Sequence, residues 1–242
     1  MQFLGELYLD LGRYKEAEQL LLKTLNGRQQ SWGREHPDTL WTMAMLGCLY
    51  HNQDRYKEAE DMLRQVEEAT RLVLDDAHLL RSYTLYELGT LCLSQKQYDE
   101  AEMFLTNASD ILCRILGKEN WTTLMVTNTL AKLYTVQGRY KEAEKTFCET
   151  LETRINKLGE EHPHTLESKN DLAVLFKKQA RYEEAEKYLL EALEGRSLKL
   201  GDNHPRTIES LNNLIDLYEA WKKPEKAEKW RSKLPKTEAT IK

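Results

Sequence analysis

Apolar residues recur along the chain three and four positions apart, the spacing that places side chains on one face of an α-helix. Stretches such as "LGCLY" at 46–50 and "LAKLY" at 130–134 carry this pattern, and short polar turns such as "VQGR" follow them. Strict alternation of Val, Ile and Thr, which would indicate strands, does not occur in the sequence. The pattern predicts an all-α protein built from pairs of helices.

The helical pattern repeats every 42 residues. The heptapeptide GRYKEAE occurs at residues 12–18 and again, unchanged, at 138–144, three such periods later. Every period carries an alanine followed by a glutamate, and the six alanines are Ala17, Ala59, Ala101, Ala143, Ala185 and Ala227. Six copies in one register predict a repeat array, because each unit must bury its apolar faces against its neighbours.

Turn residues divide this array into units of two helices. The sequence predicts a single array over residues 1–234, with units at about 1–33, 34–75, 76–117, 118–159, 160–201 and 202–234, and a polar basic tail at 235–242. Units two, five and six open with H-P-x-T, where proline suits the first turn of a helix. Units three and four lack this proline, so altered turns are expected there. The last helix, expected from Pro224 to Leu234, should act as a terminal cap.

The Leu, Gly/Ala and Tyr positions followed by Y-x-E-A-E resemble the tetratricopeptide repeat (TPR), and this resemblance covers the whole chain. The 42-residue period with "LGEEHPHTL" at 158–166 resembles the kinesin light chain branch of that family in particular. The resemblance implies an α-solenoid that winds into a right-handed superhelix of about six units. It also implies a non-enzymatic scaffold or adaptor that binds a short peptide of a partner protein in a concave groove lined by the first helices.

An alternative function comes from the end of the array. The stretch at 212–234 is similar to C-terminal repeats of large bacterial multidomain proteins, where such arrays follow kinase or sensor domains. That likeness implies a regulatory or oligomerising segment of a larger protein, which uses the array for self-association.

Composition and charge exclude several other classes. The net charge of −5 does not favour a nucleic-acid partner. The longest apolar run, residues 43–50, is too short to cross a bilayer, and the N-terminus lacks the basic and apolar segments of a signal peptide. Four cysteines without C-x-x-C spacing predict reduced thiols. These features predict a cytoplasmic protein without membrane partners.

Catalytic and metal-binding signatures do not occur in the sequence. It contains no H-E-x-x-H, no phosphate loop ending in G-K-[ST] and no G-x-S-x-G. Four histidines, namely His36, His78, His162 and His204, share one position of the repeat and therefore belong to its turn. A metal site needs ligands that converge, which a residue repeated every 42 positions does not supply. We expect no enzymatic activity, no cofactor and no metal.

Candidate binding residues lie at positions of the first helices that vary between units and that the TPR resemblance turns towards the groove. They are Trp41, Tyr83, Tyr86, Met125, Asn128, Lys132, Asn170, Lys177 and Asn212. The asparagines share one position and could bond the backbone of an extended peptide, and the lysines could meet an acidic residue or phosphate. Trp41, Tyr83 and Tyr86 could seat an aromatic or leucine anchor. Trp41 and Tyr83 could instead pack against the neighbouring repeat.

One specialised TPR site is disfavoured. A clamp for a C-terminal carboxylate, as the family uses it, needs Lys and Asn on one first helix and Asn on the next. Here Asn128 and Lys132 stand in reversed positions, and Asp171 stands where the second Asn is needed. The resemblance to kinesin light chain arrays implies instead a short peptide ligand with aromatic and acidic residues.

Overall fold

The structure, a computed structural model, describes residues 13–73 and 78–235, and every regular element in these ranges is an α-helix. The all-α prediction is confirmed for this part of the chain. The helices are α1 (Tyr14–Trp32), α2 (Pro37–Asn52), α3 (Tyr56–Val73), α4 (Leu79–Ser94), α5 (Tyr98–Leu116), α6 (Trp121–Val136), α7 (Tyr140–Leu158), α8 (Pro163–Lys178), α9 (Tyr182–Leu200), α10 (Pro205–Ala220) and α11 (Pro224–Arg231). The expected first helix of unit one and most of the predicted tail lie outside the described residues.

Two kinds of helix alternate along the chain. The even-numbered helices have 16 residues each and correspond to the first helices of the sequence units. The odd-numbered helices from α1 to α9 have 18 or 19 residues and correspond to the second helices. The last one, α11, has only eight residues and ends three positions before the Leu234 that the sequence predicted.

The chain divides into two compact units, residues 1–133 and 134–242. In the first compact unit, α1 packs against α2, α2 against α3, α3 against α4, and α4 against α5. The helices α2 and α4, each the first helix of its repeat, also contact each other. In the second unit the same order joins α7 to α11, with α8 against α10. Packing of consecutive helix pairs is the arrangement of a TPR solenoid, as the sequence predicted. The division into six repeats with their stated boundaries stays a prediction.

The turns between units are built from glycine, histidine and threonine. Gly159 ends α7 with φ of 88°, a left-handed conformation that favours glycine, and its carbonyl accepts a hydrogen bond from Thr165 Oγ1 at 2.8 Å. The His162 Nδ1 accepts from the backbone N–H of His164 at 3.2 Å and so caps α8. His36, His78 and His204 cap their helices in the same way. The prediction that these histidines belong to the turn is confirmed.

The turn before α6 keeps this geometry without histidine or proline. Asn120 Oδ1 accepts from the Thr122 N–H at 2.9 Å, and Thr123 Oγ1 donates to the Gly117 carbonyl at 2.9 Å. Gly117 has φ of 87°, nearly the value of Gly159. The expectation of an altered turn before unit four was wrong, because an asparagine side chain accepts the same capping hydrogen bond. The turn before unit three falls partly outside the described residues.

Small residues allow the two helices of a unit to approach closely. A Cβ placed on Gly47 of α2 would lie 2.5 Å from Leu63 Cγ of α3. A Cβ on Gly89 of α4 would likewise lie 2.6 Å from Leu105 Cγ of α5. Side-chain carbons do not pack at such distances, so both positions need glycine while the helices keep this separation.

Buried arginines join a second helix to the first helix of the following unit. Arg196 is 2% exposed, and its Nη1 donates to the Arg206 carbonyl at 2.7 Å and to Ser210 Oγ at 2.8 Å. Arg154 and Arg28 make the equivalent bonds 42 and 168 residues earlier. The repeat positions of Arg196 and Ser210 hold Leu112 on α5 and Val126 on α6, and both of these side chains are buried. The chain therefore uses a polar pair and an apolar pair at one kind of junction.

The glutamate that follows the repeated alanine links neighbouring repeats at several positions. Glu144 accepts from Arg181 Nη1 at 2.7 Å, and the Arg181 guanidinium lies 4.1 Å from the centre of the Phe176 ring. Glu18 and Arg55 form the same pair in the first unit at 2.8 Å. These two glutamates therefore form ion pairs between neighbouring repeats.

Candidate protein-interaction surface

An aromatic face, which we define as Trp41, Tyr83 and Tyr86, lies on the adjacent first helices α2 and α4 of the first unit. The rings of Trp41 and Tyr83 stack with their centres 5.3 Å apart and their planes 20° from parallel. All three side chains are half-buried. The interpretation that Trp41 and Tyr83 pack against the neighbouring repeat therefore applies to one side of each ring. The other part of the face remains accessible to a ligand.

A buried carboxyl group lies beside this face. Glu87 of α4 is only 7% exposed, one helical turn after Tyr83. The Cys48 thiol of α2 and the Tyr83 hydroxyl hydrogen-bond to its carboxyl group. Burial raises the pKa of Glu87 to about 7, because a charged carboxylate is poorly solvated there. Glu87 was not among the residues predicted from the sequence, although Met45 and Thr129 occupy the same position in the adjacent repeats and indicate an inward-facing site.

The neighbours of Glu87 share its low-dielectric environment. Burial, followed by the charge of Glu87, raises the pKa of the Cys48 thiol well above its ordinary value. The same two causes raise the pKa of the Tyr83 hydroxyl. The indole Nε1 of Trp41 is buried and has no hydrogen-bond partner among the described residues. Between α2 and α4 the chain therefore encloses a carboxyl group and a thiol beside the aromatic face.

The remaining predicted residues of the first unit lie on α6. Asn128 is 3% exposed, while Met125 and Lys132 are half-buried. Burial of Asn128 limits what its amide can offer to a ligand. Lys132 and Met125 stay candidates for contact with a partner.

In the second unit the predicted residues divide into internal and exposed ones. Asn170 of α8 is 2% exposed, and its Oδ1 accepts from Ser210 Oγ and from Asn213 Nδ2, both at 3.2 Å. This amide oxygen therefore holds α8 to α10. Asn212 is exposed on α10, so its amide is the more accessible of the two.

The charges around Lys177 are mainly acidic. The Lys177 Nζ lies 3.7 Å from Asp216 Oδ2 on the neighbouring first helix. Glu209 and Glu219 are exposed on the same side of α10 as Asp216, at three- and four-residue helical spacing or multiples of it. Glu209 contacts Arg196, and Glu219 contacts Arg231. One side of α10 is therefore acidic, and cations of the same compact unit balance part of this charge.

Other classes of site lack structural support in the described ranges. No group of three or more His, Cys, Asp or Glu side chains there could hold a metal ion. Within residues 13–73 and 78–235, no helix combines the length and apolar character that a membrane-spanning segment needs. Aromatic, amide and charged side chains on repeat surfaces are suited to binding another protein.

A model of the tetratricopeptide repeat family matches residues 1–71, 122–197 and 175–230, and the chain belongs to this family. Proteins of this kind generally mediate contacts between proteins. A search of curated proteins found no match.

Solved structures with the same fold include proteins of the kinesin light chain type. A putative kinesin light chain with nearly identical TPR-like repeats from Podosopora anserina is 24% identical, with a TM-score of 0.68 over 82% of this chain and 94% of that one. BtubC from P. vanneervenii is 20% identical, with a TM-score of 0.70 over 95% and 96%. The TPR-containing signal transduction ATPase of Pyrococcus horikoshii is 17% identical, with a TM-score of 0.73 over 95% of this chain and 34% of that one. The resemblance to kinesin light chain-like TPR proteins that the sequence indicated is confirmed at the level of fold.

Proposed function

We propose that this chain is a non-enzymatic, cytoplasmic scaffold or adaptor module that binds a short peptide segment of a partner protein. The observation that carries the proposal is the aromatic face on α2 and α4. Two stacked rings and a third tyrosine stay partly accessible there. Rigid aromatic side chains of this kind are typical anchors of protein interfaces.

The ligand that fits this face has an aromatic or leucine side chain. Such a side chain can pack against the accessible edges of the Trp41–Tyr83 stack and against Tyr86. Lys132 on α6, in the same compact unit, would attract an acidic residue or a phosphate of the ligand. The proposed ligand is therefore a peptide that combines acidic and aromatic residues.

In the second unit the same mode of binding uses Asn212 and Lys177. The exposed Asn212 amide can bond the peptide backbone with one donor and one acceptor. A ligand carboxylate at Lys177 has to take the place of Asp216, which lies 3.7 Å away. Such exchange of one carboxylate for another costs little, because both groups remain partly hydrated.

A peptide-display selection against the purified chain tests the proposal. We expect acidic–aromatic peptides to be enriched, and we expect their affinity to fall about 30-fold or more in Trp41→Ala, the effect of removing an interface anchor worth about 2 kcal/mol. Lys132→Glu should weaken acidic peptides and leave neutral analogues unchanged.

Trp32→Ala is the matched control, because Trp32 is a 53% exposed tryptophan of the same compact unit outside the aromatic face. Far-ultraviolet circular dichroism confirms that each variant is folded. Equal losses in Trp41→Ala and Trp32→Ala, or no enrichment by a folded sample, would refute binding at the aromatic face.

A further inference from the structure

The second unit ends in an open groove where its last helix is short. A cavity of about 760 Å³ lies between α9, the start of α10 and the end of α11. Leu190, Leu193, Leu211 and Trp230 form its apolar floor, and the charged residues of its lining are Glu194, Asp202 and Lys233. We call this set of seven residues the C-terminal groove. It lies on different residues from the aromatic face and is independent of the function proposed above.

The preceding repeat shows what packs at the equivalent place. Residues 189–200 of α9 run back along the start of α8, where a Cβ on Gly195 would lie 2.6 Å from Leu166 Cδ2. Lys199 Nζ at the end of α9 lies 3.2 Å from Glu161 in the turn that precedes α8. The last turns of a second helix thus cover the first helix of their own unit, with a small residue at the crossing and a lysine at the acidic turn.

These turns have no counterpart in the described part of α11. The helix ends at Arg231, which stands in the repeat position of Leu189. As a result, positions that are covered in earlier repeats are more exposed next to α11. Leu166 is 2% exposed, whereas Ile208, its equivalent 42 residues later, is half-buried. Leu151 is buried, whereas its equivalent Leu193 is half-buried and lines the groove.

The charges at the rim select the same kind of segment. Glu194 and Asp202 are both exposed, and Asp202 accepts a hydrogen bond from Ser197 Oγ. Asp202 stands in the repeat position of Glu160, next to the Glu161 that pairs with Lys199 one unit earlier. Asn203 stands in the position of Glu161 itself, so the carboxylates that a cationic side chain of an incoming helix would meet are Glu194 and Asp202. The cation of the lining, Lys233, lies over the Trp230 ring, with its Nζ 4.1 Å from the ring centre.

We propose that the C-terminal groove binds an amphipathic helical segment of a partner protein, about three turns long, which occupies the place that residues 189–200 occupy in the preceding repeat. Its apolar face packs on Leu193, Leu211 and Trp230. A small residue lies where the helix crosses Ile208, and a Lys or Arg one turn later faces Glu194 and Asp202. A helix laid into an apolar groove is a common mode of peptide recognition.

The probe is a fluorescein-labelled synthetic peptide with the sequence of residues 188–200, used with the full chain in a fluorescence-anisotropy titration. We expect saturable binding. Leu193→Glu in the protein should lower the affinity at least tenfold, because it places a charge on the apolar floor. Leu198→Glu is the matched control: it lies on the same helix, is 75% exposed and does not line the groove.

A second protein variant does not depend on the tolerance of the apolar floor. Glu194 is exposed, so Glu194→Lys should fold normally and should still weaken binding several-fold by repelling the Lys199 equivalent of the peptide. A peptide in which the Gly195 equivalent is leucine should bind at least tenfold more weakly, because the crossing leaves no room for it.

Three results would overturn the proposal. The first is the absence of saturable binding by a folded chain. The second is an equal loss of affinity in Leu193→Glu and Leu198→Glu, since that loss would not depend on the groove. The third is binding that appears only after the chain is shortened to end at Pro235, which would identify residues 236–242, and not a partner protein, as the occupant of the groove.

Discussion

Replacing Glu87 with glutamine should remove a pH-dependent part of the stability of the first unit. Glu87 is 7% exposed and hydrogen-bonded by Cys48 and Tyr83, and its pKa is about 7. In the unfolded chain its pKa returns to the ordinary value of 4.5. The unfolded state therefore releases the Glu87 proton at a lower pH than the folded state does.

The sign and the size of the pH-dependent change in stability follow from the difference between these two pKa values. Because the folded-state pKa is raised, the contribution of protonated Glu87 is complete below pH 4.5, falls as pH rises, and is lost above about pH 7. The difference between 4.5 and about 7 corresponds to about 3 kcal/mol, at roughly 1.4 kcal/mol for each unit of pKa. Between pH 5 and pH 8, we expect about 2–3 kcal/mol of this loss.

The assay is urea unfolding of the wild type and of Glu87→Gln at pH 5, 6, 7 and 8, followed by circular dichroism. Glutamine keeps the size of the side chain and does not titrate, so the other carboxyl groups contribute equally to both proteins. We expect the stability of the wild type relative to the variant to fall by about 2–3 kcal/mol from pH 5 to pH 8. A difference that stays constant over this range would show that Glu87 is not buried as described, and the argument would fail.

Further substitutions test the packing of the repeats by their free energies of unfolding. Gly47→Val should destabilise the protein by about 1–3 kcal/mol, because the added side chain is overpacked against α3. Gly27→Ala should stabilise it by about 0.5–1 kcal/mol, because Gly27 lies in α1 with open space around it. Similar effects at both sites would contradict the close approach of α2 and α3 at Gly47. Arg196→Leu should destabilise the protein by about 2–4 kcal/mol, because it leaves the hydrogen-bond partners of Arg196 unsatisfied. Adding Ser210→Val to this variant should recover at least about 1 kcal/mol. If the effects of the two substitutions simply add, Arg196 and Ser210 are not coupled. His162→Ala should cost about 1 kcal/mol while His162→Asn costs almost nothing, and equal losses would rule out the capping role.

The sequence predicted the helices well because each is marked by local chemistry. The glycine and the capping histidine fix where one helix ends and the next begins, and these signals do not depend on distant packing. The end of α11 was less accurate, since Pro235 marks only a limit beyond which the helix cannot continue. The equivalence of histidine and asparagine as helix caps was also missed, although in both side chains the acceptor atom, Nδ1 or Oδ1, is bonded to Cγ.

The binding residues were harder to predict because one repeat position has different environments in different units. Asn170 and Asn212 occupy equivalent positions of the repeat. However, Asn170 on α8 is covered by α10, whereas Asn212 on α10 is exposed. Periodicity gives the face of a helix but not what lies opposite to it. Glu87 was missed for the same reason, since a single glutamate in a charged chain carries no sign of its burial until α2 is placed beside it.

The two kinds of junction between units bear on how a chain of similar repeats folds in the correct order. Near-identical units can pair out of sequence during folding, which is a characteristic failure of repeat proteins. If α9 met the first helix that carries Val126, the buried Arg196 guanidinium would face a methyl group in place of the Ser210 hydroxyl. If α10 met the helix that carries Leu112, Ser210 would lose its donor. Each of these mispairings buries an unsatisfied polar group, so the apolar junction at Leu112 and Val126 disfavours exchange with the arginine–serine junction of α9 and α10.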